Sequence, residues 1–324
     1  MSSKKSEKKL LWLMSDRGFG SEVNNLLYAI NFSKKKGFQI LILTSCWNFG
    51  ITNGWSDFFT SLSEQTKLFS NKRTKLLLLF LHKNIGVSRL IYWEKKQKKN
   101  SPCQTNKTGV KGLIYSTVRT VINLIKPKNI KFIYEKFDEV REFNIRERKS
   151  SNYEFLQEMN KILKEVWEIN ASTQSKINQI KIKINDEYAV FHIRRGDKIT
   201  SEEDTLYEVD IYMKKLEQVN PSIKKVFVMS DDYRSFTELK ERYPKTCFLT
   251  LVDKNELGHQ QKEFNRKTAT QREKSAVVLL TELEIAVEGK VFIGSRKSNI
   301  FRLVEYLKAK ECIDISDDRP NYFI

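Results

Sequence analysis

Proline and glycine are scarce in this chain, five and twelve among 324 residues. With 40% apolar and 30% charged residues, that scarcity excludes a low-complexity or broadly disordered polymer, which has too little apolar material to bury. Cysteine is equally sparse. Cys46, Cys103, Cys247 and Cys312 lie far apart with no C-x-x-C spacing, which excludes a disulfide framework and a thiolate zinc site and predicts reduced thiols. Long hydrophobic runs are missing as well. Residues 10–14 are too short for a signal-peptide core, and residues 76–81 too short to span a bilayer. The expectation is a soluble, intracellular protein with no membrane anchor. The triplets at Asn31, Asn106 and Asn170 that match a glycosylation acceptor are what chance provides.

Acidic residues are in the minority: 58 Lys and Arg face 40 Asp and Glu, a formal charge of +18. Such an excess asks for nucleic acid, anionic lipid or a phosphorylated ligand. Here the excess is nearly all lysine, diluted along the chain among Asn and Ile, and it reads as compositional bias as much as a binding face. The densest stretch, Lys95, Lys96, Lys98 and Lys99 beside Asn100, Ser101 and Pro102, reads as a solvated linker or insertion. No motif interleaves aromatic and basic residues as single-stranded nucleic-acid platforms do, so no nucleic-acid partner is expected.

The first half opens as strand, loop, helix, strand. Residues 10–14 are apolar, Gly18 and Gly20 punctuate a turn, 23–32 have helical spacing, and 38–43 are apolar again. This is a Rossmann-like βαβ unit, but its glycines make only a fragment of a dinucleotide fingerprint. A third glycine is missing, and Thr44, Ser45, Cys46 and Trp47 stand where an acidic residue would end the second strand. Residues 60–150 alternate apolar and basic stretches without a clear order. Residues 153–169 turn helical, and polar 170–176 resemble an interdomain connection. The second half alternates more cleanly: strands at 188–193, 226–229, 247–252 and 291–293, helices at 209–219, 235–242, 276–287 and 299–308. Strands separated by helices of this length imply a parallel, doubly wound sheet. The predicted architecture is therefore α/β and GT-B-like: two Rossmann-like parallel domains facing a cleft, 1–175 with a basic insertion near 60–150, and 176–324.

The segment after residue 188 carries the most chemistry. Apolar Tyr188, Ala189, Val190 and Phe191 discharge into His192, Arg194, Arg195, Gly196, Asp197, Lys198 and Glu202. Open α/β sheets build ligand sites beyond the carboxyl ends of their strands. Paired arginines there suit a diphosphate, because planar guanidinium forks match phosphate oxygens bidentately. A solvated charged turn is the competing reading, and an adhesion tripeptide at Arg195, Gly196 and Asp197 would need a secreted, exposed loop.

With its His-x-Arg-Arg-x-Asp-Lys pattern and a glutamate at matching distance, this segment resembles the α1,6-fucosyltransferases, which comprise the enzyme that fucosylates the N-glycan core and the rhizobial nodulation fucosyltransferase. Further islands are similar in order: the turn at Gly18 and Gly20 with its helix, the loop from Trp47 to Trp55 with Phe58, the strand at 226–232 ending in Asp231 and Asp232, and the closing helix, strand, turn and helix at 280–302. Residues 60–150 match nothing in the family. Glu282 stands where the family has an aspartate, and Asn299 where it has a glutamine. The animal core enzyme's membrane anchor, coiled coil and SH3-like domain have no counterpart here, which weakens any extension to an N-glycan core acceptor.

The resemblance implies an inverting transfer of fucose from GDP-fucose to a glycan hydroxyl, with a GDP-sugar donor and a glycan acceptor as partners and no metal or other cofactor. Another GDP-sugar, or a protein hydroxyl as in the peptide O-fucosyltransferases, is the enzymatic alternative; a basic nucleic-acid-binding protein is the non-enzymatic one. Glu202 is the implied base, separated from adjacent Glu203 only by the family spacing. Asp197 and Lys198 orient the base or acceptor, or merely form a salt-bridged turn. Arg194 is the first candidate for the β-phosphate; Arg195 binds the donor or pairs with an acidic neighbour. Ser298 and Asn299 open the last helix, meeting the diphosphate with hydroxyl and free N–H groups or serving as an ordinary cap. Cations and helix dipoles can stabilise the leaving group without a metal, and the chain lacks the separated Asp-x-Asp of manganese-dependent GT-A enzymes. Guanine's N1–H and N2–H2 suit one carboxylate, which puts Glu282 in the base pocket; His192 reaches guanine or ribose, or is a satisfied strand-end histidine. Asp231, Asp232, Trp47 and Trp55 serve the acceptor or the fold.

Overall fold

The computed structural model describes residues 9–44, 47–60, 66–68, 130–200, 205–308 and 311–316. The chain divides into two compact units, Met1–Ser151 with Glu165–Glu168, and Asn152–Lys164 with Ile169–Ile324. Each is built on a parallel sheet.

In the first unit, β1 (Lys9–Leu13) sits beside β2 (Gln39–Leu43), with β3 (Thr66–Leu68) and β4 (Ile130–Phe132) outside them, in the order β3-β2-β1-β4. All three pairings are parallel. Leu10, Leu11, Trp12 and Leu13 are buried to 1% or less, as an apolar strand covered on both faces must be. Helix α1 (Phe19–Lys36) is longer than its apolar spacing predicts, because it starts directly after Gly18 and runs through three lysines that favour the negative end of its dipole. It packs on α2 (Ile133–Ser150), and the Asn31 amide donates to Asn144 Oδ1 at 2.8 Å across that contact.

Trp47 and Trp55 lie in this unit, 3% and 0% exposed. Trp55 stacks on Phe59 at 4.1 Å between centroids, and Trp47 meets Phe19, Phe49 and Phe58. The loop between them is pinned by Asp57, whose carboxylate accepts the successive amides of Ile51, Thr52, Asn53 and Gly54. Burial pushes that carboxyl up, but the donated amides outweigh it and hold it below the usual range.

The second unit begins with most of α3 (Asn152–Val166), followed by α4 (Ala171–Ile180). The polar stretch at 170–176, expected to be a connection, is the start of α4. Asn170 caps it by accepting from the Thr173 amide at 2.9 Å, and Thr173 and Ile177, four residues apart, are its buried stripe. Two buried positions among Ser, Gln, Lys and Asn left no visible apolar period.

Then come β5 (Ala189–Ile193), short α5 (Asp197–Thr200), α6 (Val209–Val219), β6 (Lys225–Ser230), α7 (Tyr233–Arg242), β7 (Cys247–Leu249), short α8 (Gln261–Phe264), α9 (Ala269–Glu288), β8 (Val291–Gly294), α10 (Asn299–Lys308) and β9 (Cys312–Asp314). The sheet order is β7-β6-β5-β8-β9, parallel throughout. Every residue of β5 is buried, which fits the central strand. Helix α9 starts seven residues before its apolar pattern because Thr268 and Gln271 form a reciprocal cap. Among the described residues, no helix is long and apolar enough to cross a membrane.

Candidate functional site

In the second unit the chain leaves β5 for β6 and β7 on one side, then returns to β8 and β9 on the other. Loops leaving the carboxyl ends of strands diverge at such a switch point and open a crevice. The loops concerned hold residues 194–197 after β5, Asp231 and Asp232 after β6, and 295–298 after β8.

His192, the penultimate residue of β5, pairs in register with Gly294 and stacks on Phe292 at 6.2 Å. Burial, helped by the charge of Arg194, lowers its imidazole to about 3, so the ring is neutral at pH 7. Its Nδ1 is buried with no hydrogen-bond partner among the described residues.

The two arginines that follow go separate ways. Arg194 donates from Nη2 to Asp197 Oδ1 at 3.2 Å, while its Nε is buried without a partner among the described residues. Arg195 turns to α7, donating from Nε to Ser235 Oγ at 3.2 Å and lying 3.6 Å from Glu238. The turn itself hangs on Asp231. Its Oδ1 accepts the Arg195 amide at 2.7 Å and its Oδ2 the Gly196 amide at 3.0 Å. Charge-assisted bonds of this kind contribute about 1.5–3 kcal/mol each. Asp232 faces elsewhere: it caps α7 through the Arg234 amide and pairs with the Arg234 guanidinium. Burial raises its carboxyl, but those bonds to Arg234 prevail and lower it overall.

Glu282 lies on α9, 7% exposed, with no hydrogen bond or ion pair among the described residues. Burial, with the Asp231 charge adding to it, raises its carboxyl to about 8. Ser298, 3% exposed, accepts the Ile300 amide at 3.2 Å and so caps α10, which opens at Asn299. In the same loop, Arg296 is tied to Glu305 and Asp314.

The structure therefore gathers His192, Arg194, Asp197, Asp231 and Glu282 by contact or charge, with Ser298 at the end of the neighbouring strand. Trp47 and Trp55 belong to the other unit's core. Glu202 and Glu203 lie outside the described residues, as does the Lys198 side chain. Residues that the sequence did not single out complete the arrangement: His259 accepts the Asp197 amide through its carbonyl at 2.9 Å, and the Gln261 amide donates to Asp197 Oδ2 at 3.1 Å. Only Gly258 in that polar stretch hinted at a backbone constraint. Among the described residues, no group of three His, Cys, Asp or Glu is placed to hold a metal.

No protein-family model and no curated protein sequence matches the chain. Solved structures do. The selenomethionine form of fucosyltransferase NodZ from Bradyrhizobium aligns over 97% of both chains at 11% identity, with a TM-score of 0.54. NodZ α-1,6-fucosyltransferase soaked with GDP-fucose aligns over 93% of this chain and 92% of its own at 12% identity, with a TM-score of 0.53. A variant of Arabidopsis thaliana FUT1 in complex with GDP aligns over 96% of this chain and 71% of its own at 11% identity, with a TM-score of 0.52. The fold is that of the GT-B fucosyltransferases. At such identities the likeness carries the architecture, and the chemistry must be argued from the residues.

Proposed function

We propose that the second unit binds a guanosine diphosphate sugar and that the protein is an inverting, metal-independent glycosyltransferase moving fucose to a glycan hydroxyl. The observation that carries the reading is Arg194: one edge of its guanidinium rests on Asp197, its Nε is buried without a partner among the described residues, and it stands at the switch point of a nucleotide-type sheet. The solved structures that share the fold include NodZ soaked with GDP-fucose and FUT1 with GDP, which supports GDP as the leaving group.

In this reading Glu282, once ionised, accepts from guanine N1–H and N2–H2, and neutral His192 lines the pocket beside it. Arg194 meets the negative charge that grows on the β-phosphate, assisted by Ser298, Asn299 and the amino end of α10. Glu202 takes the acceptor hydroxyl proton as oxygen bonds to the anomeric carbon and the bond to the diphosphate breaks, releasing GDP. A positioned base of this kind contributes ~10²–10⁴ in rate. Asp231 and Arg195 hold the turn. The first unit forms the acceptor side and the second the nucleotide-sugar side; the division near residue 151 replaces the boundary expected at 175.

Calorimetric titration with GDP, UDP, ADP and short DNA, in the presence of EDTA, tests the proposal. Selective GDP binding that falls about 10–100-fold in Arg194→Ala, the worth of one charge-assisted contact, is the expected result. Salt-sensitive DNA binding with no GDP binding overturns it and returns the charge of +18 to the lead.

A further inference from the structure

The stretch between β7 and α8 is fitted onto the arginine turn through main-chain atoms. The Gly258 amide donates to the Asp231 carbonyl at 2.8 Å, and the Asp197 amide donates to the His259 carbonyl at 2.9 Å. Two residues further out on each side, the Tyr233 amide donates to the Glu256 carbonyl and the Gln261 amide to Asp197 Oδ2. The two backbones approach so closely that side chains are excluded. A Cβ on Gly196 would lie 2.4 Å from the His259 oxygen, and Gly258, at φ 111°, would bring a Cβ to 3.3 Å from Gly196 Cα. Asp197 is the joint of this assembly, because Oδ1 holds Arg194 and Oδ2 is held by Gln261.

We infer that residues 256–261 form a latch that positions Arg194 through Asp197, so that Asp197 and the Gln261 amide act as positioning groups for the diphosphate site and not as ligands. The inference rests on the donor-site reading above. Arg194 has a long, flexible side chain, and a carboxylate fixed at one oxygen by a backbone amide gives its guanidinium one orientation before any ligand arrives. Preorganisation of this kind lowers the entropic cost of binding. Released from Gln261, the carboxylate turns about its own bonds and the guanidinium turns with it.

One substitution removes the critical donor with little else. Gln261 is the first residue of α8, where proline is tolerated, and Gln260 already has φ −120° and ψ 109°, the extended conformation a residue before proline requires. Gln261→Pro deletes the amide hydrogen. Gln261→Ala, which loses the same side-chain contacts but keeps the amide, is the reference against which it is read. GDP and GMP are titrated in parallel, since GMP lacks the phosphate that Arg194 addresses. The expected result is a GDP affinity about tenfold below the Gln261→Ala reference, with GMP affinity within about twofold of it and no further loss when Gln261→Pro is added to Arg194→Ala. Asp197→Asn, which keeps one acceptor oxygen where two are needed, gives the same GDP-selective loss. Equal weakening of GDP and GMP, additivity with Arg194→Ala, or unchanged GDP binding in both variants overturns the latch while leaving GDP as ligand. A native protein that binds neither nucleotide overturns the donor site and the latch together.

Discussion

Glu282→Gln isolates a buried acid whose proton bears on stability and, in the proposed donor site, on binding. Burial, with Asp231 second, raises its carboxyl from 4.5 to about 8 in the folded chain. The folded state therefore keeps this proton over a range in which the unfolded chain has lost it. Protonation stabilises the fold fully below pH 4.5, and that contribution drains away as pH rises to about 8, leaving a deficit of about 5 kcal/mol at about 1.4 kcal/mol per pKa unit. Glutamine does not titrate. Urea unfolding of native protein and Glu282→Gln from pH 5 to pH 9 should show the native curve falling relative to the variant by about 1.4 kcal/mol per pH unit until pH 8. In the proposed donor site the same proton governs binding, since only the ionised carboxylate accepts both guanine hydrogens. Below pH 8 the native affinity for GDP, normalised to Glu282→Gln to cancel phosphate ionisation, falls about tenfold per pH unit. At pH 8 the substitution itself weakens GDP and spares UDP. Parallel stability curves would refute the buried acid; equal weakening of GDP and UDP would remove Glu282 from the base pocket.

Asp231→Ala strands the amides of Arg195 and Gly196 and should destabilise the second unit by about 2–4 kcal/mol in urea; it also removes a charge that raises Glu282, so the pH-dependent decline should end at lower pH and be smaller in total. In the first unit, Glu22 is fully buried and accepts from the Ser15 amide, the Ser15 hydroxyl and Arg17. Glu22→Ala leaves that cation and those donors without their acceptor. It should cost about 3–5 kcal/mol in the unfolding transition of that unit, with GDP affinity at native-favouring conditions unchanged; a loss below about 1 kcal/mol contradicts the buried pair.

The strand at 189–193 was legible because a strand buried on both faces reads as an unbroken apolar run, and the charges after it had to emerge together at its end. Both α6 and α10 were legible to the residue, since one face of each is polar and the period shows. What stayed hidden depends on atoms that composition does not encode. Asp231 was visible as an acid at a strand end, yet its service to two backbone amides requires the register of β5 on β6. The latch was invisible for the same reason, as its contacts are main-chain and only Gly258 marks them. The helix at 171–180 escaped because two buried residues suffice for it. The resemblance left Trp47 and Trp55 to the acceptor or the fold, and spacing could not show that both are buried in the core of the first unit.

Charge alone is a poor guide to what this site recognises. The chain carries +18, yet around the arginine turn the cations are matched: Arg194 by Asp197 and Arg195 by Glu238, with Asp231 holding the Arg195 and Gly196 amides. In the proposed donor site a diphosphate gains little from a positive field and much from donors held in fixed directions, namely the Arg194 Nε, without a partner among the described residues, and the amino end of α10. Screening by salt weakens fields over a Debye length of about 8–10 Å but scarcely touches a short, partly buried hydrogen bond. GDP held by such directed, partly buried hydrogen bonds should therefore lose little affinity between about 50 and 200 mM salt. Attraction by the dispersed surface lysines would instead be screened over the same range, and the affinity would fall with it. Measuring the GDP constant at those two salt concentrations separates directed recognition from bulk attraction, and a steep dependence would mean that the surface, not the turn, holds the anion.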